Sequence, residues 1–306
     1  MLVMYIYKMN NEGIKETSRI TTKNIIILSS SNMEEIDKIS TKTNINKKIF
    51  LKAKENHIPR IDNYDGVLSL TVDIPYTNDD NYKHKYGTES LNIIVNEDYF
   101  VVLMDKNQFL INEVLKESTP ITNKELLTNI LFKVTELYQN QLLQINEHIN
   151  NKEKALSKST NNKELLFLLD LEKTLVYFTT SLKENENVLE SLDKLNILNE
   201  TENDILDNAI IKNKQNIHTA NIYREILTSM SDVYATIISN NLNDIMKFLA
   251  GITIVFSIPT MVASFMGMNV PLGTLGHNDT SFILIIILSF VLSVFIAILL
   301  RNKNML

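Results

Sequence analysis

The sequence predicts an α+β membrane protein: a mixed α/β domain first, long helices next, and two membrane-spanning helices last. Three observations carry this. Two stretches near the C-terminal end, 248–268 (FLAGITIVFSIPTMVASFMGM) and 281–300 (SFILIIILSFVLSVFIAILL), hold no charged residue, and each reaches the roughly 20 residues a helix needs to cross hydrocarbon. No glycine occurs between Gly87 and Gly251 and no proline between Pro120 and Pro259, so the middle of the chain lacks every strong helix breaker. Before that, short β-branched and aromatic runs alternate with turn residues.

Those runs are 2–7 (LVMYIY), 24–28 (NIIIL), 67–74 (VLSLTVDI), 90–95 (SLNIIV) and 99–104 (YFVVLM), with Pro59, Gly66, Pro75 and Gly87 as punctuation. Between the first runs, 30–39 (SSNMEEIDKI) joins a Ser/Asn cap to an acidic first turn and predicts a helix. In the breaker-free region Thr122-Asn123 caps a helix running to about Ser157, and Asn161-Asn162 caps a second that runs to Leu192. Thr201, with Asp204 three residues on, has the form of a capping box and starts a third. Nothing interrupts that third helix before the first apolar stretch ends, which makes it a stalk continuous with a membrane span, about 100 Å long at 1.5 Å per residue. Ile222, Ile226, Met230, Val233, Ile237 and Leu242 recur along it at spacings of three to five, a pattern that suits either helix packing or a plain amphipathic surface.

Orientation follows from the flanks. Lys247 precedes the first span, Arg301 and Lys303 follow the second, and the loop between them has no Lys or Arg, so the loop is expected outside and both termini in the cytoplasm. The N-terminal MLVMYIYKMNNEG has no basic start ahead of an apolar stretch, and no secretion signal is expected. The resulting division is a cytosolic α/β domain over 1–118, a cytosolic helical region over 119–200, the stalk helix over 201–247, the first span over 248–268, an extracellular loop over 269–280, the second span over 281–300 and a basic tail over 301–306.

The first span is less lipid-like than the second. Asn243, Met246, Ala250, Thr253, Ser257, Thr260, Ser264 and Gly267 follow one another at spacings of 3, 4, 3, 4, 3, 4 and 3, a heptad seam along one face. Small and hydroxylated residues on one face serve close helix packing in a bilayer; they equally serve as the wall of a narrow pore. Two helices per chain cannot enclose a conduit, so the pore reading requires a symmetric oligomer with the first span of each copy around the axis. The stripe carries no charge, and selection along it would rest on hydroxyl, amide and carbonyl dipoles.

Composition removes other classes. The 306 residues include no cysteine, which excludes thiol catalysis, disulfide scaffolds and thiolate metal sites. A net charge of −6 argues against a nucleic-acid partner. No glycine-rich phosphate loop is present, which disfavours ATP-driven transport. The histidines at 57, 84, 148, 218 and 277 lack ligand spacing and read as surface residues. The reading is not an enzyme.

At the outer end of the first span stands Gly267-Met268-Asn269, within SFMGMNVP. This triplet, placed after one span and a short loop before the next, resembles the signature of the CorA magnesium-transporter family, the Gly-Met-Asn two-transmembrane divalent metal ion transporters. The stretches 58–75 (IPRIDNYDGVLSLTVDIP), 168–183 (LLDLEKTLVYFTTSLK), 223–234 (YREILTSMSDVY) and 243–249 (NDIMKFL) resemble the family too. The resemblance implies a funnel-shaped homopentamer in the cell membrane, its first span lining the pore and its second surrounding it, that passes Mg²⁺ inward. It implies a selectivity filter at Gly267, Met268 and Asn269, with the Asn269 side-chain amides holding the hydrated ion. Family pore positions fall on Thr260, Ser257, Leu249, Met246 and Asn243; Thr253 and Ser264 join them from the stripe. Met246 and Leu249 would form an apolar gate. The family is also thought to sense cytosolic Mg²⁺ between subunits. Asp232 matches one regulatory position, and Asp79, Asp80 and Glu89 are candidates for its partner. Asp244, beside Asn243, is a candidate for drawing cations to the inner mouth. In place of the acidic or aromatic stretch many members carry after the triplet stands VPLGTLGHND, and Met266 precedes the triplet where Tyr is commoner. Relatives credited with Co²⁺, Ni²⁺ or Zn²⁺ keep those ions open, and a membrane-anchored tether or sensor without conduction is the alternative of another class.

Overall fold

The computed structural model describes residues 3–10, 13–17, 19–29, 33–55, 58–77, 85–104, 108–117, 122–156, 162–268 and 279–305. The chain divides into two compact units, Met1–Ser231 and Asp232–Leu306.

The first unit is built on seven strands: β1 (Val3–Asn10), β2 (Gly13–Glu16), β3 (Asn24–Ser29), β4 (Arg60–Tyr64), β5 (Val67–Thr77), β6 (Tyr86–Val95) and β7 (Tyr99–Met104). They form one sheet in the order β2-β1-β3-β7-β6-β5-β4. Only β3 and β7 pair parallel; the other neighbours are antiparallel. The NIIIL run explains the position of β3. Ile25, Ile26, Ile27 and Leu28 are all buried, as a strand covered on both faces requires. On one face Ile26, Leu28, Ile94, Val101 and Leu103 form a core with Ile36 and Ile39 of α1 (Met33–Thr43) and with Ile49, Phe50 and Ala53 of α2 (Lys47–Glu55).

The five β-runs of the sequence appear as β1, β3, β5, β6 and β7, and the helix expected over 30–39 appears as α1. Four elements were not anticipated: β2, β4, α2 and α3 (Gln108–Glu117). β4 and β5 close on a two-residue turn in which Asp65 and Gly66 have φ of 47° and 87°. Positive φ at both central residues is the turn that matches strand twist, and Asp-Gly is its preferred sequence.

The helical part of this unit contains α4 (Asn123–Leu156), α5 (Asn162–Lys194) and the start of α6 (Glu200–Met266). Thr122 caps α4, its Oγ1 accepting the Glu125 N–H at 2.9 Å. α5 ends on Asn196 at φ 51°, a left-handed stop suited to asparagine. The expected capping box at Thr201 and Asp204 is corrected. The cap is Asn199: its Oδ1 accepts the Glu202 N–H at 2.9 Å, and Glu202 Oε2 accepts the Asn199 N–H at 3.0 Å. The motif has the same three-residue spacing two positions earlier. Glu202 is held there because its other oxygen accepts a 2.6 Å hydrogen bond from the Thr122 hydroxyl.

Polar side chains tie these helices to one another and to the sheet. β4 pairs with β5 only as far as Thr71, which leaves the backbone of Asp73 on an open edge. Asn185 of α5 closes it, accepting the Asp73 N–H and donating to the Asp73 carbonyl, both at 2.8 Å. The Asp73 carboxylate accepts from the Ser90 and Ser181 hydroxyls at 3.1 and 2.7 Å. Fully buried Tyr138 of α4 donates to the Asp73 carbonyl at 3.3 Å; burial first, and the Asp73 charge second, push its phenol well above the ordinary value. Buried Asn213 and Asn216 of α6 donate to the carbonyls of Leu182 and Thr135, each at 2.8 Å.

The second unit holds the remainder of α6, which runs unbroken past Ser231, and α7 (Asp279–Asn302). Both helices are long and apolar enough to cross a membrane. α7 ends in a Schellman motif: Met305 N–H to Leu300 O and Asn304 N–H to Arg301 O, both at 3.0 Å, with Asn304 at φ 55°.

Candidate functional site on the membrane-spanning helices

Burial along the two apolar helices picks out one face of each. On α6 Gly251 is buried and Ile252, Val255, Ile258, Val262 and Met266 are half-buried. On α7 Ser293 is buried, and Ile285, Ser289, Ile296, Ala297 and Leu300 are half-buried. Their recurrence every three or four residues marks these as the faces the two helices turn toward each other.

The polar stripe lies elsewhere. Asn243, Met246, Leu249, Ala250, Thr253, Ser257, Thr260 and Ser264 are all exposed on α6, as is Gly267 just beyond its end. Close packing against α7 therefore does not account for the stripe, because a different face of the same helix has less exposure.

The hydroxyls have a common geometry. Thr253 Oγ1 donates to the Leu249 carbonyl at 2.8 Å, Ser257 Oγ to Ile254 at 2.7 Å, Thr260 Oγ1 to Phe256 at 3.2 Å and Ser264 Oγ to Thr260 at 2.8 Å. Each proton is committed to the helix's own backbone, three or four residues back, so each oxygen faces outward with lone pairs and no proton. The stripe is a row of acceptors. Pro259 lies inside the helix and has no N–H to offer the Val255 carbonyl.

At the C-terminal end of α6 Gly267 N–H bonds to Ala263 O at 3.0 Å and Met268 N–H to Phe265 O at 3.4 Å, closing the helix. A Cβ on Gly267 would meet nothing among the described residues closer than 3.5 Å, the distance to the Ala263 carbonyl. Asn269 lies outside the described residues.

At the N-terminal edge of the apolar stretch Lys247 Nζ stands 3.2 Å from Asp244 Oδ1, both side chains well exposed. The sequence signalled this pair only as opposite charges three residues apart. Asp232 is exposed, and its carbonyl accepts from the Thr236 hydroxyl at 3.0 Å. Of its candidate partners, Asp79 and Asp80 lie outside the described residues, and Glu89 is half-buried on β6 in the first unit. The expected seam on the stalk is exposed at Ile222, Ile226, Val233 and Leu242. The core face of α6 in the first unit is a different one, with Leu206, Ala209, Asn213, Asn216, Ala220 and Leu227.

Among the described residues no group of three or more His, Asp or Glu is set to hold a metal. His218 is exposed. His148 departs from the surface reading: it is half-buried between the rings of Tyr86 and Phe167, with centroids at 6.3 and 5.8 Å, and its Nε2 lies 3.3 Å from Lys85 Nζ.

Comparison with known proteins gives one consistent result. The family model described as "CorA-like Mg2+ transporter protein" matches residues 23–302. The chain is 26% identical over 282 residues to the cobalt/magnesium transport protein CorA of Methanocaldococcus jannaschii, covering 89% of this chain and 87% of that one. The complete structure of the CorA magnesium transporter from the same organism superposes with a TM-score of 0.85 at 22% identity, over 100% of this chain and 99% of that one. The full-length CmaX protein superposes at 0.75 and 17% identity, over 98% of each chain. At these identities the two superpositions show the shared fold.

Proposed function

Because the chain belongs to the CorA family, we propose that it carries hydrated divalent cations, Mg²⁺ first, passively into the cytoplasm through a pore lined by α6 of several copies. The observation that carries this reading is the acceptor stripe. Mg²⁺ sheds its waters reluctantly. A hydrated cation presents outward-pointing O–H groups, and a wall of hydroxyl oxygens with committed protons can accept from them; the shell of an anion presents the opposite polarity and finds no donors among these hydroxyls. No carboxylate ring is needed, since the potential supplies the force: about 4.6 kcal/mol per 100 mV for a divalent ion, twice the single-charge figure.

The rest of the assignment extends that pathway. Gly267, Met268 and Asn269 are the selectivity filter, with Asn269 amides around the hydrated ion. Gly267, whose Cβ position is open among the described residues, keeps the mouth wide and lets neighbouring copies approach. Asn243, Met246, Leu249, Thr253, Ser257, Thr260 and Ser264 line the pore, and Met246 with Leu249, each 56% exposed in the single chain, form the apolar gate that closes by dewetting. The exposed apolar seam of the stalk packs against other copies in a homopentamer. The protein sits in the cell membrane with both termini cytoplasmic and acts as a transporter, not an enzyme. Cytosolic Mg²⁺ bound at Asp232 between subunits favours closure, because an ion that bridges acidic groups stabilises the state in which they are close. Co²⁺ is a second cargo, suggested by the name of the M. jannaschii relative; Ni²⁺ and Zn²⁺ belong to the same chemistry.

Mg²⁺ influx into proteoliposomes loaded with a Mg²⁺-sensitive dye, with internal Mg²⁺ removed, tests the reading. The wild type should conduct, and Asn269→Ala should lose most of the flux while keeping its oligomer on sizing. Entry of Co²⁺ or Zn²⁺ without Mg²⁺ would reassign the cargo. No flux of any divalent ion would leave a tether without conduction.

A further inference from the structure

After Asp232, the only charged residues on α6 are Asp244 and Lys247. At 100° per residue Lys247 stands about 40° round the helix from Asn243, and Asp244 about 100°. Of the two charges on this part of α6 the ammonium is thus the closer to the acceptor stripe, at the level of the apolar pair Met246 and Leu249 and about 100° round the helix from Met246. Two demands conflict at this position. A lysine at the inner edge of the first span anchors the helix and fixes its orientation. The same charge, repeated once per copy around a pathway, repels a divalent cation twice as strongly as a monovalent one.

We propose that Asp244 is an electrostatic shield for the cation pathway: its carboxylate, 3.2 Å from the Lys247 ammonium, cancels that charge toward the pore while leaving the lysine at the membrane edge. The inference rests on the pathway reading above. The pair is exposed, with side chains 44% and 72% accessible, so holding the helix together is not its contribution. Its effect is on the local potential, which a hydrated ion passing the inner mouth feels within about one Debye length, roughly 8 Å at physiological salt. Because the Boltzmann factor contains the ion's charge, Mg²⁺ loses the square of the factor a monovalent cation would lose, once for every copy.

The test is a double-mutant cycle on Mg²⁺ influx in proteoliposomes, using the full chain with the oligomer checked by sizing. Asp244→Asn exposes the bare lysine charge and should lower influx about five-fold at low salt, the deficit shrinking as ionic strength rises. Asp244→Asn combined with Lys247→Gln should return influx to near the wild-type rate, and Lys247→Gln alone should match or exceed it. Should loss of the lysine impair insertion, the exchange of Asp244→Lys with Lys247→Glu keeps a cation at the membrane edge and should also conduct at or above wild type. Wild-type flux left unchanged by Asp244→Asn, a deficit insensitive to salt, or a double variant as slow as the single one would each overturn the proposal. A wild type that passes no divalent cation would instead remove the pathway reading itself.

Discussion

The two units of this chain use polar side chains in opposite ways. In the first unit they bridge elements far apart in sequence: Asn185 to Asp73, Asn216 to Thr135, Asn213 to Leu182 and Thr122 to Glu202. Remove one and a buried group elsewhere loses its partner. On the apolar part of the second unit the hydroxyl hydrogen bonds are local, from Thr253, Ser257, Thr260, Ser264 and Ser293 to a carbonyl three or four residues back. Such bonds hold nothing together that the helix does not already hold. Polar residues that the fold does not require, yet that share one exposed face of a membrane span, are there for something that passes or packs beside them.

That contrast can be broken experimentally. The largest stability effect is expected from Asn185→Ala, which strips both hydrogen bonds from the Asp73 backbone at the open end of β5. A loss of about 2–4 kcal/mol should follow, read as a lowered melting temperature of the full chain in detergent. A shift no larger than that of a surface substitution would mean the edge is satisfied by water. Ser257→Ala is the converse case. It should leave the melting temperature within error, because only a local bond to Ile254 is lost, yet reduce Mg²⁺ influx by about ten-fold, the equivalent of 1.4 kcal/mol on the barrier. Unchanged flux with lowered stability would reverse the assignment of roles between the units.

Tyr138→Phe sharpens the comparison with a smaller effect, about 1 kcal/mol for one hydrogen bond to Asp73. It also carries a pH signature. The folded-state phenol titrates above its ordinary 10.0, so the neutral form is favoured by folding. That contribution is fully present below pH 10 and is lost as pH rises through the folded value. The alkaline fall in melting temperature should therefore be steeper in wild type than in Tyr138→Phe, and identical slopes would show that Tyr138 does not titrate on unfolding.

How much of this was legible in the sequence depended on where the signal lay. Apolar runs such as NIIIL and YFVVLM, and the uncharged spans, are large signals carried by burial itself, and they located β3, β7, α6 and α7. β4 reads RIDNY, with no apolar run to reveal it; its signal was the Asp65-Gly66 turn and not the strand. α2, KKIFLKAKE, buries only a narrow face against the sheet, too short for a periodic pattern to stand out. The cap of α6 was displaced because Asn199-Glu202 and Thr201-Asp204 are equivalent as local motifs, and the tertiary contact from Thr122 decides between them. The stripe was legible at heptad spacing, but the direction of its hydroxyl protons was not. Neither was the existence of a separate α7-facing seam, since both depend on which face a neighbour covers.

One helix carries the chain from Asn199's cap to Met266 without a joint, and this places an unusual constraint on its gene. With no loop to absorb a change in length, deleting or inserting a single codon anywhere between residues 200 and 243 would turn the acceptor stripe by about 100° relative to everything upstream, whereas a change of seven codons would turn it by only about 20°. Length variation in this segment should therefore be tolerated where it completes nearly whole turns, as seven, eleven or eighteen residues do, and rejected otherwise, a reading frame imposed by the pitch of a helix on top of the one imposed by the code.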